Sequence, residues 1–208
     1  MPSHYLHLML SYQRVADAGI AEEYRPAFLL GAVAPDAVTM HRDKLRTHYT
    51  VYTGVTWLYR FHVFEREFAG YRGQSVLHQH FYRGYKYHLL LDEAWVRECL
   101  DRAGLRLMMG RLARDTNMRT QYYGEMSQFD AFHRSSVDPA MLQDACTCLA
   151  QANPDLFPGF LERDVLGSIL KHLSDTMPEI MLRFDGQILR PRNIERFLLR
   201  ASQVPVEV

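Results

Sequence analysis

The chain has 208 residues, of which 48% are hydrophobic, and its 24 basic and 24 acidic side chains balance. This length and composition suffice for one well-formed core, so we expect a single domain that spans residues 1–208. The zero net charge gives no overall attraction to nucleic acid or to an anionic membrane surface, and no nucleic-acid partner is expected.

Apolar residues recur at spacings of three and four along most of the chain, whereas the alternating runs typical of strands are scarce. The sequence therefore predicts an all-α fold, a single-domain bundle of several helices. In chain order, the predicted helices cover residues 6–15, 24–33, 55–68, 76–101, 105–118, a segment that begins at 139, 163–175 and 193–201.

Several residues predict where these helices begin and end. Pro35 is expected to end the second helix, because proline cannot continue one. Gly70 and Gly73 are expected to end the third. Ser75 and Asp138 are the expected N-caps of the helices that follow them, since their side-chain oxygens accept from backbone amides at a helix start.

The sequence contains no apolar run of the roughly 20 residues that a membrane-spanning helix needs, so no transmembrane segment is expected. The first residues carry no basic region ahead of their short apolar stretch, which argues against a signal peptide. Three cysteines do not suggest a disulfide framework, and a cytoplasmic location is expected.

The segment GYKYHLLLDEAW, residues 84–95, places a histidine and an aspartate in an otherwise aromatic and aliphatic run. On a helix, His88 and Asp92 lie one turn apart on one face, within reach of a single ion. Phe81 and Trp95 share nearly that face, so the pair should point into a core, where an unpaired carboxylate is costly. Two interpretations stay open: a pair of metal ligands, or a hydrogen bond between imidazole and carboxylate.

Further donors occur earlier in the chain, where eight of the ten histidines precede residue 90. Asp36 follows an apolar stretch in FLLGAVAPDAV, and His48 lies in KLRTHYTVY, just after Lys44 and Arg46. A mixed set of carboxylate and imidazole donors suits zinc, or iron or manganese, better than calcium or magnesium.

Four motifs occur in the same order between residues 4 and 95: an early histidine, G-x-x-A-P-D, K-x-x-T-H-[FY] and G-Y-x-x-H-L-x-x-D-x-x-W. In wording and order they resemble the zinc-dependent phospholipase C family and its bacterial cytoplasmic relatives. That family has an all-α fold, which it shares with the single-strand-specific zinc nucleases.

The resemblance implies a ligand set for this chain. One zinc ion would be held by Asp36, His48, His88 and Asp92. A second metal ion would be bound by His7 and also by Asp92. Asp36 would in addition serve as the catalytic base beside a metal-bound water.

The chain departs from the family after Asp92. The secreted enzymes carry a later histidine and a downstream H-x-x-x-[DE] pair that complete another metal site. Here Glu98 follows Asp92, while the later histidines, His133 and His172, lack an acid four residues on. We therefore expect one or two metal ions rather than three, with His4 as a possible substitute for the amino-terminal ligand of the secreted enzymes.

The residues and the resemblance together predict a metal-dependent phosphoesterase that hydrolyses a phosphate mono- or diester through a metal-activated water. Its substrate would be a small-molecule or lipid-derived phosphoester, and Lys44, Arg46 and Lys86 are candidates for binding the phosphate. The alternative is a non-enzymatic helical protein of the same fold with a structural or vestigial metal site. The sequence leaves the oligomeric state open.

Overall fold

The computed structural model describes residues 2–37, 44–53, 57–105, 115–175 and 183–206. It is 76% helical and 2% strand, and its helices form one compact bundle, which confirms the all-α prediction. The helices are α1 (His4–Asp17), α2 (Arg25–Ala37), α3 (Lys44–Thr47), α4 (Phe61–Arg72), α5 (Val76–Trp95), α6 (Thr116–Ser136), α7 (Pro139–Ala150), α8 (Arg163–Asp175) and α9 (Pro191–Gln203). Short 3₁₀ turns lie at Glu22–Tyr24 and Pro154–Leu156, and a π-helix at Val96–Leu105 continues α5.

The predicted N-caps are confirmed. The Ser75 hydroxyl accepts from the backbone N–H of His78 at the start of α5, and the Asp138 carboxylate accepts from that of Ala140 at the start of α7. These bonds satisfy amide groups that have no partner within their own helix.

The prediction that Pro35 ends the second helix is wrong, because α2 continues through Pro35 to Ala37. Pro35 lies in the last turn, so the missing N–H costs only one backbone bond near the helix end. Residues from Pro26 to Asp36 are buried, mainly against α5, and this packing outweighs the local preference of proline. The prediction for Gly70 is also wrong, because α4 passes through it, whereas Gly73 is confirmed as the C-cap that follows the last helical residue, Arg72.

The predicted helix over residues 55–68 begins too early. Residues 57–59 form β2 (Trp57–Tyr59), which pairs antiparallel with β1 (Thr50–Tyr52). Each strand has three residues, too few for a period of two to stand out in the sequence.

The sequence did not predict α6, which runs from Thr116 to Ser136. The helix predicted over residues 105–118 lies mostly outside the described residues. Only three side chains of α6 are buried, Tyr122, Glu125 and Phe129, so the helix has a narrow apolar stripe that an acidic residue interrupts.

Two glycines allow α2 and α5 to pack unusually close together. A Cβ atom on Gly31 would overlap the backbone oxygen of Phe81, and one on Gly84 would overlap the backbone oxygen of Phe28. Glycine is required at both positions because the obstacle is backbone, which cannot rotate away. This contact holds the middle of α2 beside the middle of α5, and the candidate ligands Asp36, His88 and Asp92 follow one to two turns later on the same two helices.

Among the described helices, none is both long and apolar enough to cross a membrane.

Candidate metal centre

Four parts of the fold deliver the five predicted metal ligands to one place. His7 comes from α1, Asp36 from the last turn of α2, His48 from the residue after α3, and His88 and Asp92 from α5. All five are buried, with exposed fractions between 0 and 4%. Residues far apart in sequence therefore meet in the core of the bundle.

One half of the centre lies around the Nε2 atom of His48. This atom is 3.2 Å from Asp36 Oδ1, 3.2 Å from His88 Nε2 and 3.5 Å from Asp92 Oδ2. His88 Nε2 is itself 3.6 Å from Asp92 Oδ2. Asp36, His48 and His88 thus form a group whose donor atoms all lie within 4.8 Å of one another.

The other half lies around His7, whose Nε2 atom is 3.3 Å from Asp92 Oδ1 and 3.9 Å from Asp36 Oδ2. His7, His88 and Asp92 form a second group within 4.8 Å, so His88 belongs to both groups. The two oxygens of Asp92 face different histidines, Oδ1 toward His7 and Oδ2 toward His48 and His88. The carboxylate therefore lies between the two halves.

The spacing of these atoms fits a transition-metal ion. Tetrahedral zinc with bonds of about 2.0–2.1 Å to nitrogen and oxygen separates its ligand atoms by about 3.3–3.4 Å. The separations between neighbouring donor atoms in the centre run from 3.2 Å to 3.9 Å and bracket this value. The donor set, three imidazoles and two carboxylates, is one that suits zinc, iron or manganese.

Hydrogen bonds outside the centre orient two of the histidines. His88 Nδ1 lies 2.8 Å from the carbonyl oxygen of Ala32, which can only accept, so Nδ1 carries a proton and Nε2 is the nitrogen that faces the centre. His48 Nδ1 lies 3.0 Å from the hydroxyl of Thr47. Histidine ligands of metals are commonly held in this way through their second nitrogen.

His7 and Asp92 supply the strongest sign that the centre is built for a cation. Neither ring nitrogen of His7 and neither carboxylate oxygen of Asp92 has a well-aligned hydrogen bond within the described part of the chain, although both side chains are 0% exposed. Each such buried polar group costs about 1–3 kcal/mol. The His7 ring is nevertheless fixed in place, because it stacks on His88 with the ring centroids 3.7 Å apart.

The charges in the centre are strongly coupled. Burial, together with the neighbouring His88, lowers the pKa of His7 to about 4, so this ring is neutral at physiological pH and available as a ligand. Burial alone would raise the pKa of Asp92, but the neighbouring histidines, His88 first, outweigh it and hold that pKa below its usual range. Asp92 in turn outweighs the effect of burial on His88 and raises the pKa of that ring. The carboxylates thus favour positive charge among the imidazoles, whether from a proton or from a metal ion.

Tyr59 lies near the centre and was not identified from the sequence. It faces Thr50 across the hairpin, on the side where Thr50 is buried, while Val51 and Leu58 on the opposite side are 41% and 51% exposed. The pKa of Tyr59 is raised well above its ordinary value. The main cause is burial, and nearby carboxylates, of which Asp92 contributes most, add to it. Its hydroxyl therefore stays protonated beside the centre. No local motif marked this residue, because its position depends on the hairpin.

The three candidate phosphate-binding residues have different surroundings. The Lys44 side chain lies outside the described residues, and Arg46 is exposed. Lys86 Nζ is 2.7 Å from Glu65 Oε1, so this lysine bridges α5 and α4. Phosphate binding by these residues stays a prediction.

The structure also locates the residues considered for a further metal site. Glu98 is 4% exposed, and His133 Nδ1 lies 2.9 Å from the Tyr5 hydroxyl. Among the described side chains, the groups of three or more possible ligands are the two that share His88.

Comparison of the chain with protein-family models, with curated proteins and with solved structures finds no match. The interpretation of the centre therefore depends on its own geometry and chemistry.

Proposed function

We propose that the protein is a metal-dependent phosphoesterase of the zinc-dependent phospholipase C type, acting on a phosphate mono- or diester. The observation that carries the proposal is the convergence of five buried donors; in the described part of the chain, His7 and Asp92 have polar atoms without a well-aligned hydrogen bond. The motif order between residues 4 and 95 adds the reaction class.

The five donors would have two roles: they would bind the metal ion, and one of them would accept the proton of the attacking water. His7, His48, His88 and Asp92 would hold the metal, with Asp36 as a further ligand. A bound zinc ion supplies Lewis acidity toward phosphoryl oxygens and lowers the pKa of water from 15.7 to about 7.

Asp36 is the best candidate for the general base. Its side chain is 6% exposed, whereas those of His7, His88 and Asp92 are 0% exposed and that of His48 is 1% exposed. Within the set, water reaches the Asp36 carboxylate most easily, and this carboxylate can accept the proton that the water loses.

The second candidate function is a non-enzymatic protein with a structural metal. The near-complete burial of the ligands favours it, since structural sites are closed by protein ligands, while catalytic sites keep one position open for water or substrate.

A turnover assay separates the two functions. Protein purified without a metal-affinity tag and loaded with zinc should hydrolyse p-nitrophenyl phosphate or bis(p-nitrophenyl) phosphate, and a chelator should abolish the activity. Bound zinc without turnover on either substrate would contradict the phosphoesterase and support the structural site.

Two histidines on α5 provide a matched pair of variants. His88→Asn should abolish turnover and metal binding. His80→Asn alters another buried histidine of the same helix, one that stacks on Tyr24 with the ring centroids 4.8 Å apart. His80→Asn should keep both turnover and metal binding. Equal loss of these properties in the two variants would mean that the substitutions disturb helix α5 and that His88 has no specific role as a ligand.

A further inference from the structure

The segment that carries His48 has little structure of its own to hold this ligand in place. The helix before it, α3, has only four residues, and the chain turns at Tyr49, whose φ of 51° is in the left-handed region. A non-glycine residue in this region is strained and persists only where its surroundings hold it. His48 therefore needs an anchor outside its own segment.

The anchor comes from α5. The Tyr85 hydroxyl donates to the backbone carbonyl of Thr47 at 2.6 Å, and the Thr47 side-chain oxygen lies 3.0 Å from His48 Nδ1. We infer that Tyr85 is a positioning residue for the metal centre, which holds His48 in ligand geometry through Thr47. The helix that carries His88 and Asp92 would thus also fix the position of a third ligand.

The Tyr85 ring is well placed for this role because aromatic packing fixes it. It is 3% exposed, and its centroid lies 5.2 Å from that of Phe68 and 5.4 Å from that of Phe64. Burial raises the pKa of Tyr85 well above its ordinary value, so the hydroxyl remains a donor throughout the physiological range.

The link to His48 also sets the tautomer that metal binding requires. If His48 is to bind a metal through Nε2, Nδ1 must carry the ring proton, and the Thr47 hydroxyl oxygen is the group that accepts it. Partners of this kind typically contribute 10–100-fold to metal affinity. This inference rests on the proposed metal centre, but it concerns Tyr85, whose hydroxyl acts on the centre only through Thr47.

The test compares two tyrosines of α5. Tyr85→Phe removes only the hydroxyl that holds Thr47. Tyr87→Phe removes an equally buried hydroxyl, which donates to the carbonyl of Ala201 on α9 at 3.3 Å. Zinc affinity is measured for each variant by competition with a chelating dye at fixed pH, and the zinc content at saturation is measured beside it.

We expect Tyr85→Phe to bind zinc about 10-fold more weakly than the wild type, with unchanged content at saturation. Tyr87→Phe should keep the wild-type affinity even if its melting temperature falls. Equal affinities in Tyr85→Phe and the wild type would overturn the positioning role and leave the metal centre intact. A wild type that binds no zinc would overturn the metal centre and the positioning role together.

Thr47→Val tests the same link from its other end, and it applies even if Tyr85→Phe fails to fold. This substitution removes the oxygen beside His48 Nδ1 and keeps the backbone carbonyl. It should weaken zinc binding to a similar extent. The double variant should lose less than the product of the single losses, because both changes interrupt one chain of contacts. Wild-type affinity in Thr47→Val would contradict the link.

Discussion

Asp92 and Glu125 are both buried acidic residues, but their surroundings differ completely. The Glu125 carboxylate accepts from the backbone N–H groups of Gln187, Ile188 and Leu189, and from the side chain of Gln121. Asp92 has no well-aligned donor in the described part of the chain and faces imidazole nitrogens instead.

This difference shows which kind of buried carboxylate indicates a ligand site. Glu125 is 7% exposed and satisfied by protein donors, so its negative charge ties the segment before α9 to α6. Asp92 is 0% exposed, and the described groups that face it are imidazoles, which carry positive charge only when they are protonated. Burial alone does not separate the two roles, whereas the chemistry of the neighbours does.

The largest effect should come from moving apart the helices of the Asp92 region. Gly31→Ala or Gly84→Ala would drive a methyl group into the backbone of the facing helix. Ordinary overpacking costs up to about 3 kcal/mol in the free energy of unfolding. We expect a larger cost here, because the backbone of the facing helix cannot repack, and we expect zinc binding to be lost as well. Thermal or urea unfolding, with zinc content measured beside it, checks both.

Gly124→Ala and Gly167→Ala are the matched controls. Both glycines lie within helices, and among the described residues an added Cβ would meet no atom within 4 Å beyond the adjoining backbone of its own helix. These changes should stabilise the protein by about 0.5–1 kcal/mol, since alanine favours helix over glycine. A similar loss of stability in all four variants would contradict the role of the close helix contact.

Metal removal tests the same region without any substitution. A ligand that binds only the folded state stabilises that state by about 2.7 kcal/mol when its free concentration is 100 times its Kd. Chelation should therefore lower the melting temperature. An unchanged melting temperature after the metal is shown to be gone would argue against a buried site.

A smaller effect is expected in the Glu125 region. Glu125→Gln places an amide N–H₂ where two donors already point, which leaves buried N–H groups without an acceptor. The expected cost is about 1–3 kcal/mol in the free energy of unfolding, with zinc binding unchanged. Urea unfolding and zinc titration of the same sample measure both.

Glu65→Gln provides the comparison for that change. The Glu65 side chain is 47% exposed and pairs with Lys86, so its substitution should cost less than about 1 kcal/mol. Loss of zinc from Glu125→Gln would contradict the distinction between Glu125 and Asp92. Equal destabilisation by Glu125→Gln and Glu65→Gln would contradict the structural role of the buried Glu125 carboxylate.

The helical spacing of residues 88 and 92 was sufficient to predict that His88 and Asp92 share one face. The other three ligands could not be placed by spacing, because they meet α5 only through tertiary contacts of α1, α2 and the α3 segment. Asp36 and His48 were singled out from their local contexts, and the motif order then joined them and His7 to the pair on α5. Nothing local in the sequence indicated that Gly31 and Gly84 each lie against the backbone of the other helix.

The errors in the predicted fold arise where tertiary contacts outweigh local sequence preferences. Pro35 continues a helix because burial of α2 outweighs the local preference of proline. Helix α6 was missed because the middle position of its narrow buried stripe is Glu125, an acid whose backbone donors lie more than 60 residues away. A buried acid in a helix resembles a surface residue until those partners are known.

The most direct test of the metal centre is elemental analysis of zinc-loaded protein that has never carried a metal-affinity tag. The wild type and Glu125→Gln should each contain one or two metal ions per chain, and the double variant His88→Ala with Asp92→Ala should contain none. Equal metal content in the double variant, or no metal in the wild type, would contradict the account.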